Sequence, residues 1–329
     1  MIGIEITPEY PIERTAELGE QAANSGFDTI FCSSHYNNRD PFVALDRIAQ
    51  RTDSVRLGPG VVNPYETHPV TLASRVATLS ESAGDRTVYG IGPGDPSTLS
   101  NLGYEREKPL RRVLEAFKTA QDLFDGERIT HDGTFAATDA GLNYDAVGDI
   151  PIYVGGQGPH MTRMSAKHAD GFLYNGSHPR DFAWAAEQVE QGLADRPEER
   201  GDFDFAAYAS ISLAEDEAAA REAARPPVAF ITAGSPPPVL DRHDLDHDRV
   251  EQISERLSAG DFGDAYEMVS EGMIDAFCIA GTPETAREQI EEVLEYADSF
   301  VAGSPLGPDI ETAIDLAGPL LEDLGVPAE

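Results

Sequence analysis

Several short stretches of this chain carry side chains that could do chemistry. Glu5 stands inside the apolar run IGIEI. A carboxyl at the end of a buried strand would favour its neutral form, which suits a general acid near neutral pH. Pairing with an arginine, or capping a loop, would explain it equally. The segment CSSHYNNRDP then offers Ser34, His35, Tyr36, Asn37, Asn38 and Arg39 in succession, all able to hydrogen-bond. His35 could serve as acid, base or ligand donor, or be held as a plain loop histidine. No HxxxH or CxxC accompanies it, so no metal site is expected. GPGVVNPYETHP brings Gly58, Gly60, Asn63 and Tyr65, and GIGPGDP brings Asp95. The latter lacks the lysine and hydroxyl of a phosphate loop. VGGQGP places Gly155, Gly156, Gln157 and Gly158 just before a helix, where backbone N–H groups make a ready anion site; a tight turn is the bland alternative. YNGSHP adds Asn175, Ser177 and His178. No Ser-His-Asp order is present. Cys32 and Cys278 lie in apolar runs and are expected to be reduced core thiols.

These stretches share a position: each follows a short apolar run. The runs at 2–6, 28–33, 55–62, 87–92, 151–156, 171–176, 206–213 and 298–304 read as buried strands. Amphipathic segments of helical period lie between them, at 11–24, 41–51, 69–82, 109–125, 159–169, 179–194, 284–297 and 309–323. Several open with proline near the first turn: Pro41, Pro69, Pro109, Pro179 and Pro283. Eight strands, each followed by a helix, fit a (β/α)8 barrel. An open doubly wound sheet is less supported, since the first loop is ITPEYP and not GxGxxG. Residues 126–150 read as a hairpin insertion before the fifth strand. Residues 215–283 read as a long insertion after the seventh, with a short helix near 248–259. Both are expected on the strand-end face where barrels keep their sites.

Composition removes several functions. Asp and Glu number 59 against 24 Lys and Arg, for a net charge of −35. Lys108, Lys118 and Lys167 are the only lysines. Such a field repels nucleic-acid phosphates and anionic membranes. No apolar run suggests a membrane span, and the N-terminus lacks a basic secretory region, so a cytoplasmic setting is expected. With 40% hydrophobic residues the chain can still build a large core. In about 1 M salt the Debye length is about 3 Å, which screens the self-repulsion. Acid spread along the whole chain therefore reads as adaptation to a high-salt cytoplasm.

The motifs HYNNR, GPGVVNPY, GIGPGD, GGQGP, AYAS, VAFITAGSPP and AGSPLGP occur in this order, from near residue 1 to beyond residue 300. On that ordered set the chain resembles the F420-dependent methylenetetrahydromethanopterin reductases of the bacterial-luciferase-like family. The resemblance implies a single luciferase-like (β/α)8 TIM-barrel domain over residues 1–329, with a non-prolyl cis peptide at Gly60–Val61. It implies coenzyme F420 as cofactor, with FMN as the alternative in a monooxygenase-like relative. A non-catalytic F420-binding protein is a further alternative. The implied reaction is hydride transfer that takes a methylene-tetrahydropterin to its methyl form. By position, Ser34 and His35 would contact the deazaflavin ring. Gly60, Val61 and Asn63 would lie behind it, and Asp95 near its polar edge. Gly155, Gly156, Gln157 and Gly158 would hold the phosphate, with Asn175 nearby. Glu5 matches the acid that protonates the pterin's imidazolidine nitrogen. Thr7, Tyr208 and Phe230 are candidates for the pterin side. Ser34 departs from the Asp that precedes the motif histidine in the family. The high-salt composition points to a haloarchaeal member, in which tetrahydrofolate is an alternative carrier to tetrahydromethanopterin. A homodimer or homotetramer is the expected assembly.

Overall fold

The computed structural model describes residues 1–326. They form two units, one of residues 3–174 and 188–205, the other of residues 1–2, 175–187 and 206 onward.

The larger unit opens with β1 (Ile2–Glu5), α1 (Ile12–Asn24), β2 (Thr29–Cys32), α2 (Pro41–Ala49) and β3 (Arg56–Pro59). Then come α3 (Pro69–Ala83), β4 (Tyr89–Ile91), α4 (Pro96–Asn101) and α5 (Pro109–Phe124). A hairpin of β5 (Ile129–Asp132) and β6 (Ala136–Ala140) precedes β7 (Ile152–Gly156), α6 (Pro159–His168) and β8 (Gly171–Asn175). The strands pair parallel and in register: Glu5 opposite Phe31, Phe31 opposite Gly58, Ile91 opposite Val154, and Gly155 opposite Leu173. Single bridges, Leu57 to Thr87 and Val62 to Ile91, join β3 to β4. Parallel pairing puts every carboxyl end at one edge of this sheet. Helices cover its apolar faces, as expected of buried parallel strands. α1 and α2 pack closely because Gly19 has no side chain; a methyl there would lie 2.7 Å from Ile48 Cγ1.

The smaller unit continues after α7 (Pro179–Leu193) with β9 (Asp204–Leu213), α8 (Glu217–Gly234), α9 (Pro237–Arg242), α10 (His247–Ala259), α11 (Phe262–Glu267) and α12 (Glu271–Phe277). β10 (Ile279–Gly281), α13 (Pro283–Leu294), β11 (Ser299–Leu306) and α14 (Ile310–Asp323) complete it. β9 pairs parallel with both β10 and β11. All eight expected strands are present and parallel, each followed by helix, which is the alternation of a (β/α)8 barrel.

Both insertions differ from expectation in detail. The hairpin is there, but it follows helix α5 and not a strand. It lies along α3 and α5: Tyr144 Oη donates to Ser74 O at 2.9 Å, and Arg112 Nη1 to Thr134 O at 2.9 Å. Its tip reaches the start of α3, where His68 Nε2 donates to Ala136 O at 3.0 Å. The second insertion is not a long loop with one short helix. It holds the five helices α8 to α12 and the strand β10. Pro226 and Pro227 lie inside α8 and mask its helical period in the sequence. The helix forms because Ala224, Val228 and Ala229 bury against Val250, Ile253, Ile274 and Phe277. Arg221 and Arg225 then tie it to Glu271 at 2.7 and 2.8 Å. Cys32 and Cys278 are free and buried, and burial pushes both thiols up, as expected of core residues.

The hairpin is anchored by Glu115 of α5. Burial raises this carboxyl's pKa, and that is the largest single influence. Hydrogen bonds from the Thr134 N–H, Arg111, the Thr134 hydroxyl and His131 together outweigh it and hold the carboxyl at about 2. A folded pKa below the ordinary 4.5 means that stability is fully present above 4.5 and is lost as pH falls through about 2. Glu115→Gln should therefore lower stability by roughly 2 kcal/mol at pH 7. The gap from wild type should close as denaturant melts are repeated from pH 5 down to about 2; a constant gap would mean the anchor is not ionic.

Candidate functional site

The carboxyl ends of β1, β2, β3, β4 and β7 lie at one edge of the larger unit, so the loops after them are neighbours. Glu5 closes β1. It is half-buried and not largely buried, because the chain leaves the ladder just beyond it. Thr7 Oγ1 donates to Glu5 Oε1 at 3.0 Å, so two of the expected residues meet. Cys32 stands close by: burial raises its pKa first, and the Glu5 charge adds to this.

After β2, Ser34 is half-buried and His35 exposed. The loop is closed by Asn38 N donating to His35 O at 3.0 Å. It is held to the first loop by Arg39, whose N–H donates to Pro8 O and whose Nη1 donates to Glu9 O at 2.6 Å. After β3, buried Asn63 holds its own loop. Its Oδ1 accepts from Tyr65 N and Glu66 N, both at 3.1 Å, and its Nδ2 donates to Glu66 Oε1 at 2.6 Å. Tyr65 is pinned in turn by its hydroxyl on Glu107 O at 2.6 Å and by Arg112 over its ring at 4.5 Å. Between these two loops lies a cavity of about 280 Å³ lined by Ser34, His35, Arg39, Asn63, Glu66 and Arg75 among others. Sequence reading missed Glu66 and Arg75. Glu66 lies in the GPGVVNPYETHP segment but was passed over there, and only the folding of α3 brings Arg75 to this wall.

The Gly60–Val61 peptide is cis, as expected. Val61 is half-exposed, and its methyl groups lie against positions 90, 92 and 155, all glycine. Asp95 is an N-cap. Its carboxylate accepts from Thr98 N at 2.8 Å, Thr98 Oγ1 at 3.1 Å and the Ser97 hydroxyl. Burial pushes its pKa up, but these hydrogen bonds outweigh it and the net shift is downward. The GGQG loop divides. Gly155 and Gly156 end β7, the first buried and the second half-buried, whereas Gln157 and Gly158 lead out to α6. Gly158 is the N-cap of α6, with Pro159 at the first position, no side-chain cap and no acid in the first turn. By contrast α2, α3 and α4 are capped by Asp40, His68 and Asp95. Arg163 donates to His160 Nδ1 at 3.0 Å and to Gln188 and Gln191 at 2.7 and 3.1 Å, so its guanidinium is held by side chains of α6 and α7. An uncapped helix start is a chemical fit for a phosphate.

The remaining candidates belong to the smaller unit. Asn175 ends β8 and is exposed, and Tyr208 is half-buried on β9. Phe230 is on helix α8, not in a loop, and is 50% exposed. Its ring lies 6.2 Å from Phe262 and 6.4 Å from Tyr266. Among the described residues, no group of three or more His, Cys, Asp or Glu could hold a metal ion. No helix among them is long and apolar enough to cross a membrane.

Residues 3–300 match the family model described as luciferase-like monooxygenase. The chain is 43% identical over 325 residues to a 5,10-methylenetetrahydromethanopterin reductase from Archaeoglobus fulgidus, covering 96% of this chain and 97% of the relative. It is 39% identical to the enzyme of that name from Methanolobus tindarius, covering 96% and 98%. Among solved structures, the coenzyme F420 dependent tetrahydromethanopterin reductase from Methanopyrus kandleri superposes with a TM-score of 0.88 at 36% identity, covering 96% of each chain. An F420-dependent secondary alcohol dehydrogenase, at 17% identity and a TM-score of 0.78, shares the fold. The fold is accordingly the luciferase-like (β/α)8 barrel.

The hydrogen bonds of Asp95 account for it as a cap. Asp95→Ala should therefore lower stability by about 1 kcal/mol and Asp95→Asn by much less, read by thermal melts. Equal losses in both would show that its charge matters beyond capping.

Proposed function

The chain belongs to the luciferase-like family, and from that premise we propose that it is an F420-dependent methylene-tetrahydropterin reductase. It takes the methylene form of the pterin to the methyl form. The observation that carries this reading is the Glu5 carboxyl at the end of β1, half-buried and bonded by Thr7. Reduced F420, when bound, supplies the hydride. Glu5 supplies the proton that the imidazolidine nitrogen needs as its ring opens. With Oε1 accepting from Thr7, Oε2 is the oxygen that presents the proton, and Thr7 fixes the carboxyl's rotation. A positioned acid of this kind contributes about 10²–10⁴-fold.

The other residues bind and orient. Gly60 and Val61 back the deazaflavin ring, with Ser34 and His35 at its edge beside the cavity of the β2 and β3 loops. Asn63 and Asp95 act through the loops they hold. The start of α6, at Gly156 to Gly158, takes the phosphate. Asn175, Tyr208, Phe230 and Thr7 serve the cofactor tail and pterin. The chain works as one domain, assembled as a homodimer or homotetramer in a salt-rich cytoplasm. Its carrier is tetrahydromethanopterin or tetrahydrofolate, which share the reacting ring.

The first test is anaerobic oxidation of reduced F420 in concentrated KCl, with methylene-tetrahydromethanopterin and methylene-tetrahydrofolate in separate reactions. Turnover with either supports the reading; binding of FMN and not F420 would replace it with a monooxygenase. Glu5→Gln should keep F420 affinity and lose about 10²–10⁴-fold in turnover; near-normal turnover would remove Glu5 as the acid. Gly158→Asp separates binding from folding. A methyl at Gly158 meets nothing within 4 Å. An Asp cap there should leave stability equal or slightly higher, yet weaken F420 by placing a carboxylate at the phosphate. Unchanged affinity would remove α6 as the phosphate site.

A further inference from the structure

We infer that Gly155 and Gly92 are positioning residues: they leave the space in which the Val61 side chain stands, and so set how far Val61 projects toward the cofactor. This rests on the reading of the chain as an F420 enzyme, and it moves Gly155 out of the phosphate loop.

The argument is one of room. A methyl built at Gly155 would lie 3.2 Å from both Val61 methyl carbons, and its three nearest neighbours all belong to Val61. A methyl at Gly92 would lie 2.6 Å from Val61 Cγ2. One at Gly90 would lie 3.2 Å from Val61 Cγ1 and 2.0 Å from Pro59 O. Carbon atoms rest about 3.5–4.0 Å apart, so each contact is too short. None of the three glycines has a positive φ. Backbone conformation therefore does not require glycine at these places; space for Val61 does at Gly92 and Gly155, and the Pro59 carbonyl does at Gly90. Gly155 is buried in the sheet while Val61 is half-exposed. Anything added behind Val61 must push it outward, because the strand behind cannot yield without breaking its ladder to β8. Gly158 has no such neighbour, so the two ends of the GGQG motif have different jobs: one seats a side chain, the other starts a helix.

The test is a cycle of Gly155→Ala, Val61→Ala and the double variant, measured for F420 binding by fluorescence alongside the wild type, with thermal melts. Gly155→Ala should weaken F420 about tenfold with little change in melting. It should weaken the phosphate-free deazaflavin ribitol core by the same factor, since the ring and not the phosphate is affected. In the double variant the added methyl has room, and affinity should return to that of Val61→Ala alone. Gly92→Ala should follow the same pattern more steeply. Wild-type affinity in Gly155→Ala, or additive losses in the double variant, would overturn the inference. So would a loss with intact F420 that the phosphate-free core does not show. If Gly155→Ala does not fold, refolding by the added Val61→Ala supports the contact, and failure to refold overturns it. Absence of F420 binding by the wild type would instead overturn the functional reading.

Discussion

Parallel register is the constraint on which the rest of the larger unit depends. A one-residue slip would turn every side chain to the other face. The pairing of Glu5 with Phe31, Phe31 with Gly58, and Ile91 with Val154 fixes which residues reach the carboxyl edge. Close approach tightens the frame further. A methyl at Gly58 would lie 2.4 Å from Val88 Cγ2. The Gly60–Val61 segment is thus placed by its neighbours: β2 through the Gly60 N–H on Cys32 O at 2.8 Å, and β4 through the Val62 N–H on Gly90 O at 3.1 Å. A rigid ring could be backed only by a surface held on both sides in this way.

The helices that start at the same edge divide the polar work. Asp40, His68 and Asp95 satisfy the first turns of their own helices. Those N–H groups are spent on the fold. The α6 terminus has no such side chain, and neither has α1, which follows Pro11. Asp40, His68 and Asp95, like Asn63, are therefore ordinary structural devices, a cap or a turn, that hold their own segments still. Asn63 is the clearest case, with all three of its hydrogen bonds internal to its loop.

The strands and their helices were legible because short apolar runs and proline-led amphipathic segments alternate without ambiguity. The strand end at Glu5 and the helix start after VGGQGP were legible as positions for the same reason, whereas Thr7, Tyr208 and Phe230 came only from the resemblance. Other features were hidden by physics that acts at a distance. α8 contains two prolines and is held by tertiary packing, so local propensity argues against it. β10 is three residues long, too short for a period. The hairpin lies along α3 and α5 because of Glu115, Arg112 and Tyr144, contacts that no spacing in its own segment reveals. Motif composition does not say which way an absent side chain would have pointed, so it could not show that a methyl at Gly155 would meet Val61.

The charge balance bears on which kind of anion site would suit this chain. With a net charge of −35 and few cations, arginines are valuable, and most are committed to the fold. Arg196 alone donates to the carbonyls of Ala166, Ala169, Arg200, Gly201 and Asp202. Arg86 serves Val55 O and Thr52 O, and Arg112 serves Pro64 O and Thr134 O. A phosphate pocket built from several free arginines would compete with these uses. It would also weaken as salt rises, because exposed charges are screened within a few ångströms at about 1 M. Backbone N–H groups at a helix start hold an anion through short hydrogen bonds, which salt affects less than long-range attraction. A surface this acidic and arginines so committed to the fold are two consequences of one composition.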